Sequence, residues 1–296
     1  MPELPEITAY VEALQRYIGG RPLEGVRMAS PSLLRTVDPP PGALIGRPVR
    51  AVRRLGKRIV WAFEDDLFAV FHLMIAGRFR WKARGAPVPR RLGHAAFDFA
   101  NGTLLLTEAG TKKRASLHIV RGEAEVRAHD RGGLEPLSAD LPAFRDALLR
   151  ENRTLKRALT DPRILSGIGN AHSDEILWEA QLSPAKLTSR LDDAETERLW
   201  RATQRSLIEW TERLRREIGE RFPDKITAFH PAMAVHGRFR EPCPRCGSPI
   251  QRIVYASNET NYCAKCQTGG RLLADRAFSR LLREDWPRTL EDLDND

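Results

Sequence analysis

All four cysteines of this 296-residue chain fall between Cys243 and Cys266, as two C-x2-C knuckles, Cys243-Pro-Arg-Cys246 and Cys263-Ala-Lys-Cys266, separated by 16 residues. Each knuckle offers two thiolates to one tetrahedral ion, and the spacer is long enough for a two-stranded loop that brings the pairs together. A disulfide framework would spread cysteines through a small secreted chain, so this clustering points to metal. With Cys243, Cys246, Cys263 and Cys266 as ligands no position stays open for water, and the expected Zn2+ ion is structural. Arg238, Arg240, Arg245, Arg252 and Lys265 surround the knuckles, which suggests a hairpin pressed against phosphates.

Charge extends that reading to the whole chain. The formal net charge is +9 and the pI about 9.8, so the natural partner is polyanionic. Nucleic acid and an anionic membrane surface both fit the sign. The richest apolar run, Leu67 to Ala76, is far short of a membrane span and contains His72. The N-terminus carries acids and prolines where a signal peptide would carry basic residues and an apolar core. A cytoplasmic, nucleoid-associated location follows as the default, with no membrane partner.

The rest of the chain divides by texture. Pro5 opens a helical pattern with Ile7, Val11, Leu14 and Ile18 on one face, closed by Gly19-Gly20. From about Val49 to Val126 short β-rich runs take over. Ile59–Phe63 and Leu67–Phe71 read as a hairpin around Glu64-Asp65-Asp66. Phe97–Ala100 and Leu104–Thr107 read as a second one around Asn101-Gly102. Gly132 to Leu137 is the candidate linker, followed by helical stretches near 140–150, 152–160, 170–180 and 192–218. The expected fold class is α+β multidomain: an N-terminal β-sandwich with one helix (1–132), a helical domain (138–228), a zinc-bearing β-hairpin module (229–283) and an acidic tail (284–296).

Two further stretches carry chemistry. Met1 before Pro2 suits removal of the initiator Met, which would leave the Pro2 α-amine at the terminus. Such an amine has a reference pKa of about 7.7–8.0, against about 10.4 for Lys, so more of it is unprotonated and nucleophilic near neutrality. Glu3 and Glu6 could move protons beside it. The same residues also suit an ordinary helix entry. Ser166-Gly167-Ile168-Gly169-Asn170 is a glycine-rich turn feeding a helix N-terminus. It is either a tight helix connection or, beside Lys156 and Arg157, an anion site.

Taken together, the chain resembles the formamidopyrimidine-DNA glycosylase/endonuclease VIII family. The matching stretches are Pro2 to Glu6, Gly56-Lys57, His72-Leu73, Leu165 to Glu175, Val235 to Arg238 and Cys243 to Gln267. The resemblance implies a helix–two-turn–helix domain at 138–228 and a monomer acting on damaged double-stranded DNA. Pro2 would attack C1′ of the damaged nucleotide and form an imine, Glu3 would help open the deoxyribose, and Glu6 would support the N-terminus. Lys57 would act on the phosphate and in proton transfer, although taken alone it reads as a solvated charge beside Arg53 and Arg54. His72, His94, Lys156 and Asn170 match positions that touch DNA.

Three departures accompany the match. The family's His-Leu-Gly-Met-Thr-Gly reads His72-Leu73-Met74-Ile75-Ala76-Gly77, so Ile75, with Met74 beside it, stands in place of the wedge Met; both are apolar and either enter the base stack or belong to a strand core. The family's Asp-Pro-Arg-Arg-Phe-Gly is absent, and Thr107 to Arg114 takes its place. Arg114 stands nearest the missing Arg, or belongs to a plain phosphate-facing charge run. Asn258 occupies the position of the zinc-finger Arg. The implied activity is a bifunctional glycosylase and abasic-site lyase acting on oxidised bases and cleaving by β-elimination. The alternatives are an endonuclease VIII-like enzyme acting on oxidised pyrimidines or abasic sites, and a non-catalytic lesion-binding protein of the same fold.

Overall fold

The computed structural model describes residues 1–110, 112–255, 258–274 and 288–293; the side chains of residues 255, 258 and 293 lie outside that description. The chain forms two compact units, Met1–Arg131 with Trp210–Ala228, and Gly132–Glu209 with Phe229–Asp296.

The first unit opens with helix α1 (Leu4–Ile18). Ile7, Tyr10, Leu14 and Ile18 recur at helical spacing and are fully buried. The helix starts in a reciprocal box, in which the Glu6 carboxylate accepts from the Glu3 N–H at 2.8 Å and the Glu3 carboxylate accepts from the Glu6 N–H. A capping arrangement of this kind stabilises a helix by about 1 kcal/mol.

Eight strands follow: β1 (Gly25–Met28), β2 (Ala51–Leu55), β3 (Arg58–Ala62), β4 (Leu67–His72), β5 (Gly77–Lys82), β6 (Gly93–Phe99), β7 (Gly102–Glu108) and β8 (Ser116–Arg121). They make two antiparallel sheets, ordered β1-β6-β7-β5 and β2-β3-β4-β8. This is the expected sandwich. Its core is aromatic: Trp61 lies 4.6 Å from Phe71 and 5.3 Å from Phe97, and Phe71 lies 5.3 Å from Phe79. Truncating one of these rings would cost about 3–5 kcal/mol. Val60, Phe68, Val70 and Val120 point the other way, into a small cluster covered by Val126 of helix α2 (Glu123–Arg127). The second sheet is thus buried on both faces, which is why β4 reads as a continuous apolar run.

One turn differs from expectation. Phe99 pairs with Gly102, so the hairpin loop is Ala100-Asn101 and Gly102 begins β7. A Cβ on Gly102 would sit 2.4 Å from the Trp81 ring. The glycine serves side-chain packing and not the turn.

Residues 210–228 add Leu214 and Ile226 to the sandwich core, with Ile218 and Phe222 packed against it. The Phe222 ring lies 5.4 Å from Tyr17 and 6.2 Å from Trp81, and Asp224 accepts from the Trp81 N–H at 2.9 Å.

The second unit contains helices α3 (Leu141–Leu149), α4 (Leu155–Thr160), α5 (Asn170–Glu179) and most of α6 (Asp193–Ile218). The Asp140 carboxylate caps α3 by accepting from the Ala143 N–H. Leu134 of the expected linker bridges to Leu165 through backbone hydrogen bonds, so that stretch is anchored. Strands β9 (Ile250–Tyr255) and β10 (Asn258–Cys263) form the antiparallel hairpin, followed by helix α7 (Ala264–Thr268). Most of the acidic stretch 284–296 lies outside the described residues.

Candidate functional site

The N-terminus of the first unit gathers the candidate chemistry. Pro2, Glu3 and Glu6 are buried, and Met1 is half-buried. The Met1 amine is held below its ordinary pKa, chiefly by burial, which disfavours the charged form. The Glu3 and Glu6 carboxylates oppose the shift, whereas the Arg78 and Lys57 cations reinforce it. Glu3, Glu6 and Lys57 therefore share one electrostatic environment with the chain terminus. Arg78 has no counterpart in the reading of the sequence. Its guanidinium donates to the Ile75 carbonyl at 3.1 Å and the Gly77 carbonyl at 2.7 Å, so it also shapes the neighbouring turn.

That turn, residues 73–77, is tight. Met74 has φ +53°, unusual for a residue with a side chain. A Cβ on Gly77 would lie 2.2 Å from the Leu73 carbonyl oxygen. Ile75 is left 59% exposed at the tip. His72, at the end of β4, accepts from the Met74 N–H through Nδ1 at 3.2 Å. Its pKa is pushed down to about 4, first by burial and then by Arg58 and Lys57. It is neutral near neutrality.

His94 corrects an expectation. It lies within β6, fully buried, with Nε2 2.8 Å from Glu108 Oε2. A side chain so enclosed cannot touch DNA. The same Glu108 carboxylate accepts from the backbone N–H groups of Arg114 and Ala115, and Lys113 donates to the Glu108 carbonyl. His94 and Glu108 thus brace the loop that ends at exposed Arg114. Thr111 lies outside the described residues.

In the second unit the phosphate-binding candidates are held by a buried polar network. Lys156 Nζ donates to Asn170 O at 2.7 Å, Ser173 Oγ at 2.8 Å and Asp174 Oδ1 at 2.6 Å. A lysine has three N–H donors, so Lys156 is committed inside the protein and holds the first turn of α5. This differs from the expected DNA contact. The Asn170 amide donates to Glu259 O at 2.8 Å on β10. Asp174 Oδ2 also accepts from the Asn261 N–H and lies 2.8 Å from His236 Nδ1. Glu175 accepts from the N–H groups of Ala234, Val235 and His236 at 2.7–3.0 Å. Asp174, Glu175 and His236 lie in the matched stretches, and the sequence by itself assigns them no role. The available signal was an adjacent acid pair in a short helix with apolar residues on several faces.

The four cysteines converge, with all Sγ atoms within 4.8 Å of one another. Cys243 and Cys266 Sγ are 4.0 Å apart and Cys246 and Cys263 Sγ 3.4 Å. Tetrahedral Zn–S bonds of about 2.3 Å require sulfurs about 3.8 Å apart, so the cluster fits one structural zinc. Several cations of the module already have protein partners: Arg240 and Arg252 lie over the Phe239 ring, Arg245 over Trp178, and Arg238 donates to Pro231 O. The Asn258 side chain lies outside the described residues.

Comparison with known proteins decides the family. Residues 1–113 match the formamidopyrimidine-DNA glycosylase N-terminal domain, 133–216 its H2TH domain, and 240–269 the zinc finger found in FPG and IleRS. The formamidopyrimidine-DNA glycosylase of Geobacillus kaustophilus is 31% identical over 281 residues, covering 90% of this chain and all of that protein. The chain belongs to the formamidopyrimidine-DNA glycosylase family. A second member of the formamidopyrimidine-DNA glycosylase family, from Listeria monocytogenes, is 28% identical over 281 residues, with 90% of this chain and all of that one covered. Among solved structures, the Lactococcus lactis Fpg (MutM) in complex with N7-Benzyl-Fapy-dG containing DNA superposes with TM-score 0.79 at 25% identity, over 90% of this chain and all of that one. Family membership makes the chain a DNA-repair glycosylase.

Proposed function

We propose that this chain is a bifunctional glycosylase and abasic-site lyase that removes oxidised bases from duplex DNA through the Pro2 amine. The supporting observation is the half-buried terminal amine, its pKa lowered by burial, among Glu3, Arg78, Glu6 and Lys57. Removal of Met1 would make the nitrogen of Pro2, itself buried next to Glu3, the chain's terminal amine. The unprotonated amine attacks C1′ as the C1′–base bond breaks and the base departs with a proton; the C1′–O4′ bond then opens, with Glu3 giving its proton to O4′, and a cationic imine forms between the Pro2 nitrogen and C1′. Imine formation acidifies the C2′ proton, and its removal expels the 3′ phosphate in β-elimination. In this reading Glu3 and Glu6 shuttle protons and Lys57 binds the phosphate.

The Lactococcus lactis relative is described in complexes with DNA carrying an N7-Benzyl-Fapy-dG lesion and with DNA carrying an oxidised pyrimidine, which supports damaged bases of either class as substrates here. A base in a duplex must be flipped out to be reached, and exposed Ile75 is suited to fill the gap. Asn170, Arg114 and Asn258 would lie along the phosphates. No helix among the described residues is long and apolar enough to cross a membrane. We place the protein, as a monomer, at the nucleoid. The test is to incubate lesion-bearing duplexes with the protein under borohydride. A covalent adduct and a cleaved strand are expected; base release with neither would remove the imine from the account.

A further inference from the structure

Among the zinc ligands, Cys243 is contacted by a residue from outside the hairpin module. Trp178, near the end of α5, donates its indole N–H to Cys243 Sγ at 3.3 Å. Its ring packs against Val235, Cys243, Ile250 and Cys263. Arg245, inside the first knuckle, lies over that ring at 4.2 Å and donates to the Trp178 carbonyl at 2.9 Å. The contact is therefore held from both sides, by apolar packing on one and a stacked guanidinium on the other. A second tie runs the same way: Gln267 accepts from the Cys263 N–H and donates to the Leu182 carbonyl just beyond α5.

We propose that Trp178 is a positioning residue of the zinc site, whose indole N–H holds the Cys243 thiolate in ligand geometry and ties retention of the metal to helix α5. The chemistry is that of an outer-shell donor. A thiolate in a low-dielectric cluster carries charge that zinc alone does not neutralise, and a fixed N–H stabilises it and fixes the direction of its lone pairs. The same helix begins with Asn170, about 12 Å earlier at 1.5 Å per residue. The turn presenting Asn170 and the metal are thus attached to opposite ends of one short rod, and loss of zinc would release the far end of the helix that carries that turn. The inference stands on the zinc site alone, whatever the chemistry at the N-terminus.

The test uses the full zinc-loaded chain. Trp178→Phe keeps an aromatic ring beneath Arg245 and removes the N–H together with part of the ring, which is why a second readout accompanies the rate. Transfer of zinc to excess chelator is expected to become roughly tenfold faster, the low end of the range for outer-shell donors, whereas Arg245→Ala, which keeps the indole, changes it less. In the cobalt-substituted protein the sulfur-to-metal charge-transfer band of Trp178→Phe is expected to move to longer wavelength, because an unbonded thiolate gives up electrons more easily. Zinc loss at the wild-type rate, or faster loss with an unmoved band, overturns the proposal; the second would make Trp178 a packing residue only. Should Trp178→Phe fail to fold, wild-type protein loaded with a magnetically active cadmium isotope gives the answer. Scalar coupling between cadmium and the Trp178 indole proton is expected, and an assigned indole proton without it refutes the contact.

Discussion

The N-terminal end of the sandwich and the α5–hairpin region solve opposite problems. Around the terminus, charges of both signs are set about an amine whose protonated form is disfavoured by burial. Around α5, carboxylates are saturated: Asp174 meets Lys156, His236 and Asn261, and Glu175 takes three backbone N–H groups. One region holds a group ready to change its bonding; the other holds a surface that must not change. A buried acid serves either purpose, and its partners decide which.

The largest expected effect breaks the first region alone. Acetylating the terminus, or extending it beyond Pro2, should reduce base release and borohydride trapping to background while leaving affinity for an abasic duplex within a few-fold, measured by gel shift. A blocked protein that retained activity would remove the contrast. Next, Asp174→Ala should strand Lys156 and His236 in a buried site and destabilise the second unit by about 3–5 kcal/mol, read from urea unfolding. A change under 1 kcal/mol would show that the network is not what holds the hairpin.

Acid should act on the first unit. Burial pushes both His72 and His118 down to about 4 from 6.5, with Arg58 adding to each and Lys57 to His72. As pH falls through 6.5 the unfolded chain takes up protons that the folded chain refuses until about 4. Stability should therefore fall with pH across that window, and above it these groups should contribute no slope. Thermal melts from neutrality downward check this, and His118→Gln should flatten the dependence.

The smallest effect concerns Asn258, which by the resemblance of the zinc-finger stretch would stand where the family carries an Arg. A neutral amide cannot balance phosphate charge as a guanidinium does. Base release should survive, products should be enriched in the β-elimination fragment, and Asn258→Arg should shift them toward the β,δ-product on a sequencing gel. A wild type giving only the β,δ-product at the earliest times would contradict this.

Much of this was legible because short-range chemistry carried it. The cysteine spacing announced the zinc hairpin, and Pro5 with the recurrence of Ile7, Leu14 and Ile18 announced helix α1. What was not legible depended on contacts distant in sequence. Lys156 looked like a cation for DNA because its acceptors on Asn170, Ser173 and Asp174 become neighbours only when α4 meets α5. His94 could not be recognised as buried without its cross-strand partner Glu108, 14 residues on. Residues 210–228 read as a continuation of the helical domain, yet Leu214, Phe222 and Ile226 serve the sandwich core. Asn101-Gly102 looked like a turn dipeptide, whereas the need for glycine arose from Trp81, far away in the chain.

The most direct test of the central claim is to locate the covalent bond. Mature protein would be trapped with borohydride on an abasic-site duplex, digested, and its peptides sequenced by mass spectrometry. A peptide beginning at Pro2 is expected, with Met1 absent and the reduced sugar on the Pro2 nitrogen. An adduct on Lys57 or another lysine, or a trapped chain that still begins with Met1, would contradict it.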